Sequence, residues 1–374
     1  MARPRCGPTC PADAVAELNW GQRLLVVGTG LIGTSVALAA RAAGADVLLA
    51  DADGEQLALA VRTGAGRGAP AAPTDVDLVV IAIPPRAVGG AAVEMLERHP
   101  TATVTHVCSI QSLPQADVER SGADVTRFVG GHPVAGRETS GPTHASADLF
   151  ARRPWVICPA PDTGQTAVER VTALAVDCGA TPVLLDASTH DAALARLSHV
   201  PQLVASALAG SINGLDPARV ALAGTGLRDT TRLADSDPVL WTEIVTANAV
   251  AIASGLREVG QPLLDLAAAL ESGPEADVAT RALLTRGRLG RSLLPGKHGG
   301  AQIAVRSVQV VVPDEPGALA RLLGDVAAEN VNLEDMRVEH ASGEALGIVH
   351  IVVLPAAYEP LVTALRARGW ALTS

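Results

Sequence analysis

Residues 23–53, RLLVVGTGLIGTSVALAARAAGADVLLADAD, decide the fold of this chain. An apolar run leads into a glycine-rich turn and then into an apolar pattern with helical spacing. A Gly-Ala break follows, and a second apolar run ends in acidic residues. This order of signals predicts a strand, a helix and a second strand, the βαβ unit. We therefore expect an α/β Rossmann-type doubly wound sheet.

The glycine-rich turn has the spacing G-x-G-x-x-G that is typical of dinucleotide binding. The first glycine, Gly28, allows a tight turn, Gly30 lets the backbone approach a pyrophosphate, and Gly33 lets the helix pack against the strand. The helix then directs its free N–H groups at the phosphates. The alternative interpretation is that these glycines only turn a structural βαβ unit.

An acidic residue follows the turn at the distance that dinucleotide binding requires. Asp51 ends the second strand 18 residues after Gly33 (51 − 33 = 18). A carboxylate there accepts hydrogen bonds from a ribose 2′-OH and repels a 2′-phosphate, and Asp53 adds a second negative charge, so we expect NAD rather than NADP. The expected cofactor-binding residues are Gly28, Thr29, Gly30, Leu31, Ile32, Gly33 and Asp51.

The composition limits the classes of partner. The formal charge is −10 and there is no basic run, so we expect neither nucleic acid nor an anionic membrane as a partner, and a small molecule instead. The five cysteines are odd in number and scattered, and Cys6 and Cys10 lack partners at metal-ligand spacing, so no metal is expected. Residues 1–21 lack the apolar stretch of a signal peptide and are expected to be a loose arm of a cytoplasmic protein.

Polar residues follow the next predicted strands, where an open parallel sheet binds its ligands. Apolar runs predict strands within 75–88 and 101–110, and Ser109 stands at the end of the second. The segment 130–142, GGHPVAGRETSGP, then ends another strand, and its glycines are expected to let the backbone approach a ligand. His132 would face the nicotinamide and could act as a general base. The alternative is a loop histidine that is hydrogen-bonded to the backbone.

Three segments resemble one family, the prephenate and arogenate dehydrogenases of tyrosine biosynthesis. Residues 130–141, GGHPVAGRETSG, match its hallmark GGHP-x-AG-x-E-x-SG at every fixed position. The resemblance continues through 190–208, HDAALARLSHVPQLVASAL, and 226–241, GLRDTTRLADSDPVLW, and covers about 23–270. It implies an NAD-dependent enzyme that removes a hydride from a cyclohexadienol carbon as the ring carboxylate leaves as CO2. Restored aromaticity drives such a reaction, and it requires no metal.

The resemblance also implies roles for individual residues. His132 looks like the catalytic histidine that takes the proton of the ring hydroxyl, and Ser109 like the hydroxyl that steadies this histidine and the nicotinamide. Arg232 looks like the guanidinium that grips a substrate carboxylate. Glu138 resembles the acidic residue near the mouth of the substrate site. The expected substrate-binding residues are Arg232, Glu138, Gln202 and Asp191.

Three positions depart from the family pattern. His106 and Gln111 stand where the family usually has an acidic residue and a lysine beside the position of Ser109. Gln202 replaces the second histidine of the family's SH-x-PH run, which lies near the substrate side chain. A neutral amide favours neither a keto acid nor an amino acid strongly, so the choice between prephenate and arogenate stays open.

The middle of the chain, 187–285, has helical apolar patterns only and predicts an all-helical domain after the NAD-binding domain of 22–186. The resemblance implies that this domain forms a homodimer and that Trp241 lies close to the active site, although a lone tryptophan is more often packing. For Asp191 and Asp237 the alternative is a set of ion pairs on helix surfaces.

The C-terminal part is separable. Residues 286–304 are basic and glycine-rich and are predicted to be a linker. Residues 305–374 follow the order strand, helix, strand, strand, helix, strand, which is ferredoxin-like. PDEPGALARLL resembles the turn of ACT domains, so Asp314, Pro316 and Gly317 are expected to bind a regulatory amino acid, with tyrosine as the hypothesis. The alternative is a domain that only helps the chain to dimerise.

Two other functions compete with this interpretation. One is a dehydrogenase of 3-hydroxy acids on the same scaffold, which we would expect to use a lysine or histidine of the helical domain rather than the GGHP segment. The other is a non-catalytic amino-acid sensor that keeps a Rossmann core, against which the intact glycines, Asp51, Ser109, His132 and Arg232 argue.

Overall fold

The computed structural model describes residues 20–72, 74–135, 141–294, 303–340 and 346–373. The chain divides into two compact units between Val259 and Gly260. The first unit contains the predicted nucleotide-binding sheet and most of the helical segment. The second contains the end of that segment and the C-terminal sheet.

The first unit is built on a mixed sheet in the order β3-β2-β1-β4-β5-β6-β7-β8. The strands are β1 Arg23–Val27, β2 Asp46–Ala50, β3 Arg67–Gly68, β4 Leu78–Ile81, β5 Thr103–His106, β6 Phe128–Pro133, β7 Pro154–Pro159 and β8 Thr181–Leu184. Strands β1 to β6 pair in parallel. Strands β2 and β3 extend the sheet on one side of β1, and strands β4 to β6 extend it on the other, so the strand order changes direction between β1 and β4. Strand β7 pairs with β6 in antiparallel fashion and with β8 in parallel. The doubly wound prediction is therefore confirmed, with two reversed strands at one edge.

Two apolar layers cover the two faces of this sheet. Along β1, Leu24 and Val26 join one core cluster and Leu25 joins the other, because successive side chains of a strand point to opposite faces. The few aromatic residues are used at the centre of these layers, where Trp155, Phe128 and Phe150 are the largest fully buried side chains. A chain with only 2% aromatics thus fills its core mainly with Ala, Val and Leu.

Helices connect the strands and then continue as a helical segment. Their bounds are α1 Leu31–Ala42, α2 Gly54–Arg62, α3 Pro85–Arg98, α4 Ser112–Ser121, α5 Gln165–Asp177, α6 Ala187–Leu194, α7 Val200–Gly210, α8 Pro217–Val220, α9 Thr225–Thr231, α10 Pro238–Ala247 and α11 Ala249–Ser272. A π-helical turn, Ala195–His199, joins α6 to α7, and a 3-10 turn, Arg232–Ala234, follows α9. Among the described residues no single helix has the length and apolarity of a membrane span, and α10 with α11 reaches it only across a bend of 98°.

The prediction that 286–304 is a linker is wrong for the first part of this segment. Helix α12, Ala276–Ser292, continues through the first seven residues of the segment 286–304. Ala282 and Leu289 are seven residues apart, which is a helical spacing, and Gly287 and Gly290 cost a helix only about 1 kcal/mol each. The basic and glycine-rich composition of this segment therefore led to the prediction of a linker where the end of a helix lies. Residues 295–302 of the predicted linker lie outside the described residues.

The C-terminal sheet has the order β10-β11-β9-β12, with antiparallel pairing throughout. Its elements are β9 Arg306–Pro313, α13 Ala318–Ala328, β10 Asp335–His340, β11 Leu346–Val353, α14 Pro355–Ala367 and β12 Ala371–Thr373. The core alternates along the strands, as in Val308, Val310 and Val312 of β9, and packs against Leu322 and Leu361 of the helices. The predicted order of strands and helices is the observed one.

Candidate active site

The glycine turn after β1 has the geometry that its spacing predicts. Gly28 has φ +96°, and a Cβ there would lie 2.2 Å from the Ala82 carbonyl oxygen. A Cβ on Gly33 would lie 2.0 Å from the Gly28 carbonyl oxygen, so only glycine lets α1 pack this closely on the strand. Gly30, in contrast, has no atom within 4 Å of a Cβ, so its side of the turn is open to a ligand. It also caps α1, whose first N–H groups have no acceptor within the helix.

Asp51 is held against this turn as a charged carboxylate. Its oxygens accept hydrogen bonds from the N–H of Thr29 at 2.6 Å, from the Thr29 hydroxyl at 2.7 Å and from the N–H of Asp53 at 2.9 Å. Burial raises the pKa of Asp51, but these hydrogen bonds outweigh it and the pKa is lowered. Asp53 has a different task, because its carboxylate caps α2 by accepting from the N–H of Glu55 and Gln56.

A cavity of about 280 Å³, lined by both apolar and polar side chains, opens beside Asp51. Leu25, Val27, Leu48 and Ala50 of β1 and β2 form its floor, and helix α3 forms one wall. The cavity is large enough for part of a nucleotide and adjoins the residue expected to meet a ribose. The open turn, the anionic Asp51 and this cavity together fit the adenosine and pyrophosphate of a dinucleotide.

His132 lies near the carboxyl end of β6, as predicted, and its ring meets a second histidine. Its Nδ1 is 2.8 Å from Nε2 of His190, and the two rings are nearly perpendicular. His190 lies in α6 and is fully buried, and its Nδ1 is 2.8 Å from Oδ1 of Asp191. The structure thus joins two predicted site residues, His132 and Asp191, through a residue between them.

Asp191 is fixed by the start of helix α4. Its Oδ1 accepts the N–H of Gln111 at 2.9 Å, and its Oδ2 accepts the N–H of Ser112 at 2.8 Å. Burial raises the pKa of Asp191, but the hydrogen bonds from His190, Ser112 and Gln111 lower it by more. The net pKa is below the ordinary value, so the side chain is an anion. The helix N-terminus adds a favourable dipole. Asp191 is therefore a buried hydrogen-bonded carboxylate rather than part of a surface ion pair.

The hydrogen-bond chain sets the proton positions on both histidines. The Asp191 carboxylate only accepts, so Nδ1 of His190 carries a proton and donates it. Nε2 of a neutral His190 then has a lone pair and must accept from Nδ1 of His132. His132 consequently keeps its own lone pair on Nε2. That atom can accept a proton from a substrate hydroxyl.

Burial keeps His132, His106 and His199 neutral. The pKa of His132 is lowered well below its ordinary value, first by burial and then by the neighbouring His190, His106 and His199, while Asp191 raises it. Burial also lowers the pKa of His106 to about 3 and that of His199 to about 4. A neutral His132 is the form that a general base requires.

The glycine pair before His132 has a role that differs from the prediction. A Cβ on Gly131 would lie 2.7 Å from the His106 carbonyl oxygen, and a Cβ on Gly130 would lie 2.4 Å from Oε1 of Gln111. These glycines make room for neighbouring protein atoms, so the expectation that they let the backbone approach a ligand is wrong for both. They seat β6 closely beside β5, which positions His132.

His106 and Gln111, the two residues near Ser109 that differ from the family pattern, are both buried. Gln111 donates from Nε2 to the carbonyl oxygens of Cys108 at 2.7 Å and Gly131 at 3.2 Å, and so braces the strand of His132. His106 accepts the N–H of Cys108 at its Nδ1. The Ser109 hydroxyl makes no hydrogen bond to another described residue, so a contact between Ser109 and His132 stays a prediction.

Gln202 and Arg232 are brought to the same part of the helical segment. The amide nitrogen of Gln202 lies 2.6 Å from the carbonyl oxygen of Leu233 and 2.5 Å from the Ser236 hydroxyl. Arg232 is exposed on the 3-10 turn that begins with it. Asp237 is the N-cap of α10 and accepts the N–H of Val239, which is a structural role.

Three residues of this site were not predicted as site residues. His190 was missed although it directly precedes Asp191 in a segment that resembles the family. His199 is buried with its ring edge-on to Trp241 at 6.1 Å, and Asn248 donates from Nδ2 to the Asp191 carbonyl oxygen at 2.8 Å and lies 3.3 Å from Nδ1 of His199. A histidine in a matched segment is a usable signal, whereas Asn248 at the break between α10 and α11 offers none.

The remaining predicted residues are outside the described ranges or belong to the second unit. Glu138 is outside the described residues. Asp314, Pro316 and Gly317 are exposed in the second unit, where Gly317 begins α13 with φ +88°. Within the ranges that the structure describes, no three His, Cys, Asp or Glu side chains are grouped as metal ligands would be.

Comparison with known proteins identifies related sequences and structures. Residues 36–184 match the model of the prephenate dehydrogenase nucleotide-binding domain, and residues 186–281 match that of the prephenate dehydrogenase dimerization domain. A probable prephenate dehydrogenase, NovF, of Streptomyces niveus is 33% identical over 94% of this chain and 99% of its own length. A prephenate dehydrogenase of Bacillus subtilis is 28% identical over 88% of this chain and 91% of its own length.

Solved structures of prephenate and arogenate dehydrogenases are also similar to this chain. A prephenate dehydrogenase from A. aeolicus in complex with hydroxyphenyl propionate and NAD+ superposes with a TM-score of 0.64 at 26% identity, over 72% of this chain and 98% of that one. An arogenate dehydrogenase of Synechocystis gives a TM-score of 0.62 at 25% identity, over 72% and 99%. The chain therefore belongs to the prephenate dehydrogenase family.

Proposed function

We propose that this protein catalyses the NAD-dependent oxidative decarboxylation of prephenate to 4-hydroxyphenylpyruvate. The observation that carries the proposal is the hydrogen-bonded chain from Asp191 through His190 to His132, at the carboxyl end of a dinucleotide-binding sheet. The chain leaves a lone pair on Nε2 of His132, the atom that a general base needs. The family and its NAD-bound structure supply the substrate and the cofactor.

NAD, when bound, supplies the acceptor for the hydride that leaves the substrate ring. Gly28, Gly30 and Gly33 provide the open turn and the helix N-terminus for its pyrophosphate. Asp51 is an anion fixed by Thr29 and can accept from a ribose hydroxyl. The same negative charge disfavours the 2′-phosphate of NADP.

His132 takes the proton of the substrate's ring hydroxyl on Nε2 as the carbonyl forms at that carbon. The imidazolium so formed donates from Nδ1 to His190, whose own Nδ1–H points at the Asp191 carboxylate. This arrangement stabilises a positive charge that arises only during the reaction, which is where stabilisation raises the rate. The ring carboxylate departs as CO2, and the ring becomes aromatic.

Arg232 and Ser109 complete the proposed site. An arginine fork suits a carboxylate because it donates two parallel hydrogen bonds. Ser109 follows β5, the strand beside the strand of His132, and its hydroxyl can serve the histidine or the nicotinamide. Glu138 is assigned to the mouth of the site by resemblance alone.

The experiment that tests the proposal is NADH formation by the purified protein with NAD and prephenate, run beside arogenate at equal concentration. Reduction with prephenate supports the proposal. Faster reduction with arogenate would make arogenate the substrate instead. Absence of NADH with both substrates, together with retained NAD binding, would point to a sensor.

We propose a homodimer formed by the helical segment, as the description of the matched dimerization domain suggests. Large apolar side chains of α11 and α12 are exposed in the single chain, among them Leu264, Val278 and Leu289. Burying such side chains between two copies would be favourable, at about 25 cal/mol per Å² of apolar surface. Light scattering during size-exclusion chromatography should give twice the chain mass of 38.0 kDa.

We propose that the C-terminal sheet is an ACT domain that binds tyrosine and lowers turnover. The order β10-β11-β9-β12 and the left-handed Gly317 at the start of α13 support this assignment. Turnover of prephenate should fall as tyrosine is added up to the millimolar range. Unchanged turnover would leave the domain with a role in dimerisation only.

A further inference from the structure

We propose that Gln202 is a positioning residue that holds Arg232 in place, rather than a ligand of the substrate. The inference rests on the proposed function, because it takes Arg232 as the residue that binds a substrate carboxylate. Gln202 lies in α7 and is only 5% exposed. Its partners Leu233 and Ser236 are 31 and 34 residues further along the chain, on the turn that carries Arg232.

The hydrogen bonds determine which amide atom faces the turn. A backbone carbonyl oxygen only accepts, so the NH2 group of Gln202, and not its oxygen, must face Leu233. The same nitrogen reaches the Ser236 hydroxyl at 2.5 Å. An amide nitrogen has two hydrogens, and both are used in these two bonds. Gln202 therefore has no hydrogen left to donate to a keto group or a carboxylate of the substrate.

The turn gains little support from fully buried hydrophobic side chains. Neither α9, Thr225–Thr231, nor the 3-10 turn Arg232–Ala234 contains a buried residue. The N-cap of α9 is Gly224, which provides no side-chain hydrogen bond to the helix. The two hydrogen bonds from Gln202, which we call the Gln202 clamp, thus tie an exposed turn to a buried side chain of α7. A buried amide bonded on both hydrogens is a firm anchor, since leaving it unpaired is costly.

The clamp acts on binding and not on the chemical step. Leu233 directly follows Arg232, so fixing its carbonyl group also fixes the direction in which the Arg232 side chain leaves the backbone. An arginine fork binds a carboxylate strongly only when both of its N–H groups are aligned. Among the described residues, the hydrogen bonds of His132, His190 and Asp191 include neither Gln202 nor the turn. Loss of the clamp should therefore weaken substrate binding while the base stays intact.

The first test compares Gln202→Met, which keeps the length of the side chain but has no N–H, with Ser206→Ala on the same helix. Ser206 is exposed one turn further along α7 and serves as the matched control. We expect the KM for prephenate to rise about tenfold in Gln202→Met, since two hydrogen bonds are lost. The kcat and the KM for NAD should change less than about twofold, the pattern of lost ground-state binding. Ser206→Ala should match the wild type.

A double variant separates positioning from general structural damage. If Gln202 acts through Arg232, Gln202→Met should not raise the KM any further in an Arg232→Ala background. A further tenfold rise there would overturn the proposal, as would a fall in kcat with an unchanged KM. If Gln202→Met does not fold, Ser236→Ala removes one bond of the clamp and should raise the KM about threefold. An unchanged KM in that variant would also overturn it.

Amide hydrogen exchange distinguishes failure of this inference from failure of the proposed function. The peptide 225–237 should exchange faster in Gln202→Met than in the wild type, with no substrate present. If the wild type does not oxidise prephenate, the proposed function fails, and exchange alone decides whether the clamp exists. Equal exchange in the two proteins overturns the clamp, whatever the substrate is.

Discussion

Nε2 of His190 lies 2.8 Å from Nδ1 of His132, and this hydrogen bond connects the proposed base to a carboxylate that it does not touch. The carboxylate belongs to Asp191, which is itself tied to the first N–H groups of α4. The N-terminus of α4 therefore fixes the Asp191 carboxylate, which orients the His190 ring, which in turn orients the His132 ring and its lone pair on Nε2. A single proton arrangement satisfies every partner along this path when both histidines are neutral.

Replacing His132 by asparagine removes the base and leaves the dinucleotide turn untouched. We expect His132→Asn to lower kcat by ~10² to 10⁴, the range for loss of a general base. The affinity for NAD should stay near that of the wild type, because none of the cofactor contacts proposed above involves His132. NADH formation and an NAD titration measure the two quantities. A variant with wild-type turnover would remove His132 from the mechanism.

Asp191→Asn tests whether the carboxylate directs the proton arrangement. The N–H of Gln111 and Nδ1 of His190 both meet Oδ1 of Asp191, and the N–H of Ser112 meets Oδ2. The new NH2 group therefore faces either the N–H of Ser112 or both His190 and the N–H of Gln111, and each choice breaks a hydrogen bond. In both orientations the negative charge that stabilises the imidazolium on His132 is lost, and an NH2 group that faces His190 also reverses its tautomer. We therefore expect kcat to fall by ~10² to 10⁴, as when a carboxylate that orients a catalytic histidine is removed.

The matched control for Asp191→Asn lies on the same helix. Asp186 is an exposed cap of α6 and bonds to Thr189 and Ser188, away from His132. Asp186→Asn keeps a good capping residue. Its kcat should match that of the wild type. A comparable loss in both variants would show that damage to α6, and not the carboxylate of Asp191, is responsible.

Buried histidines should make stability fall in mild acid. Burial lowers the pKa of His106 to about 3 in the folded chain, against an unfolded value near 6.5. The unfolded state therefore binds more protons between these values, and stability is complete above pH 6.5 and declines as the pH falls toward 3. At pH 5 the loss from His106 alone is about 2 kcal/mol. His132 and His199 act in the same direction.

Urea unfolding at pH 7 and pH 5 measures this effect. His106→Asn removes one titrating group and keeps an acceptor for the N–H of Cys108. The difference in unfolding free energy between the two pH values should be about 2 kcal/mol smaller in this variant than in the wild type. An identical pH dependence would mean that His106 is not held neutral by burial.

Local patterns made the first βαβ unit and the position of His132 predictable. The glycines at 28, 30 and 33 act through contacts within one turn, so their spacing alone carries the information. His132 follows a short apolar run, and the end of a strand can be recognised locally. The order of elements in 305–374 was predictable for the same reason, since each strand alternates and each helix repeats within its own segment.

Features that depend on packing between distant segments could not be predicted. His190 meets His132 because α6 packs beside β7, and no spacing between residues 132 and 190 encodes that contact. The glycine pair at 130 and 131 was assigned to a ligand, because the atoms that require it, on His106 and Gln111, belong to another strand and loop. The reversal of β7 likewise depends on which edge of the sheet the chain reaches.

Asp51 should decide between the two nicotinamide cofactors, and its neighbour Asp53 provides the control. Asp51→Ala removes the anion and the hydrogen bonds to Thr29, so the KM for NAD should rise roughly 10- to 100-fold, as charged hydrogen bonds contribute about 1.5–3 kcal/mol. The ratio of NAD to NADP use should fall, because repulsion of the 2′-phosphate is lost. Asp53→Ala removes only the cap of α2 and should cost about 1 kcal/mol of stability with a much smaller change in cofactor preference. Steady-state kinetics with both cofactors measure the result. If Asp53→Ala shifted the preference more than Asp51→Ala, the residue that meets the ribose would be Asp53.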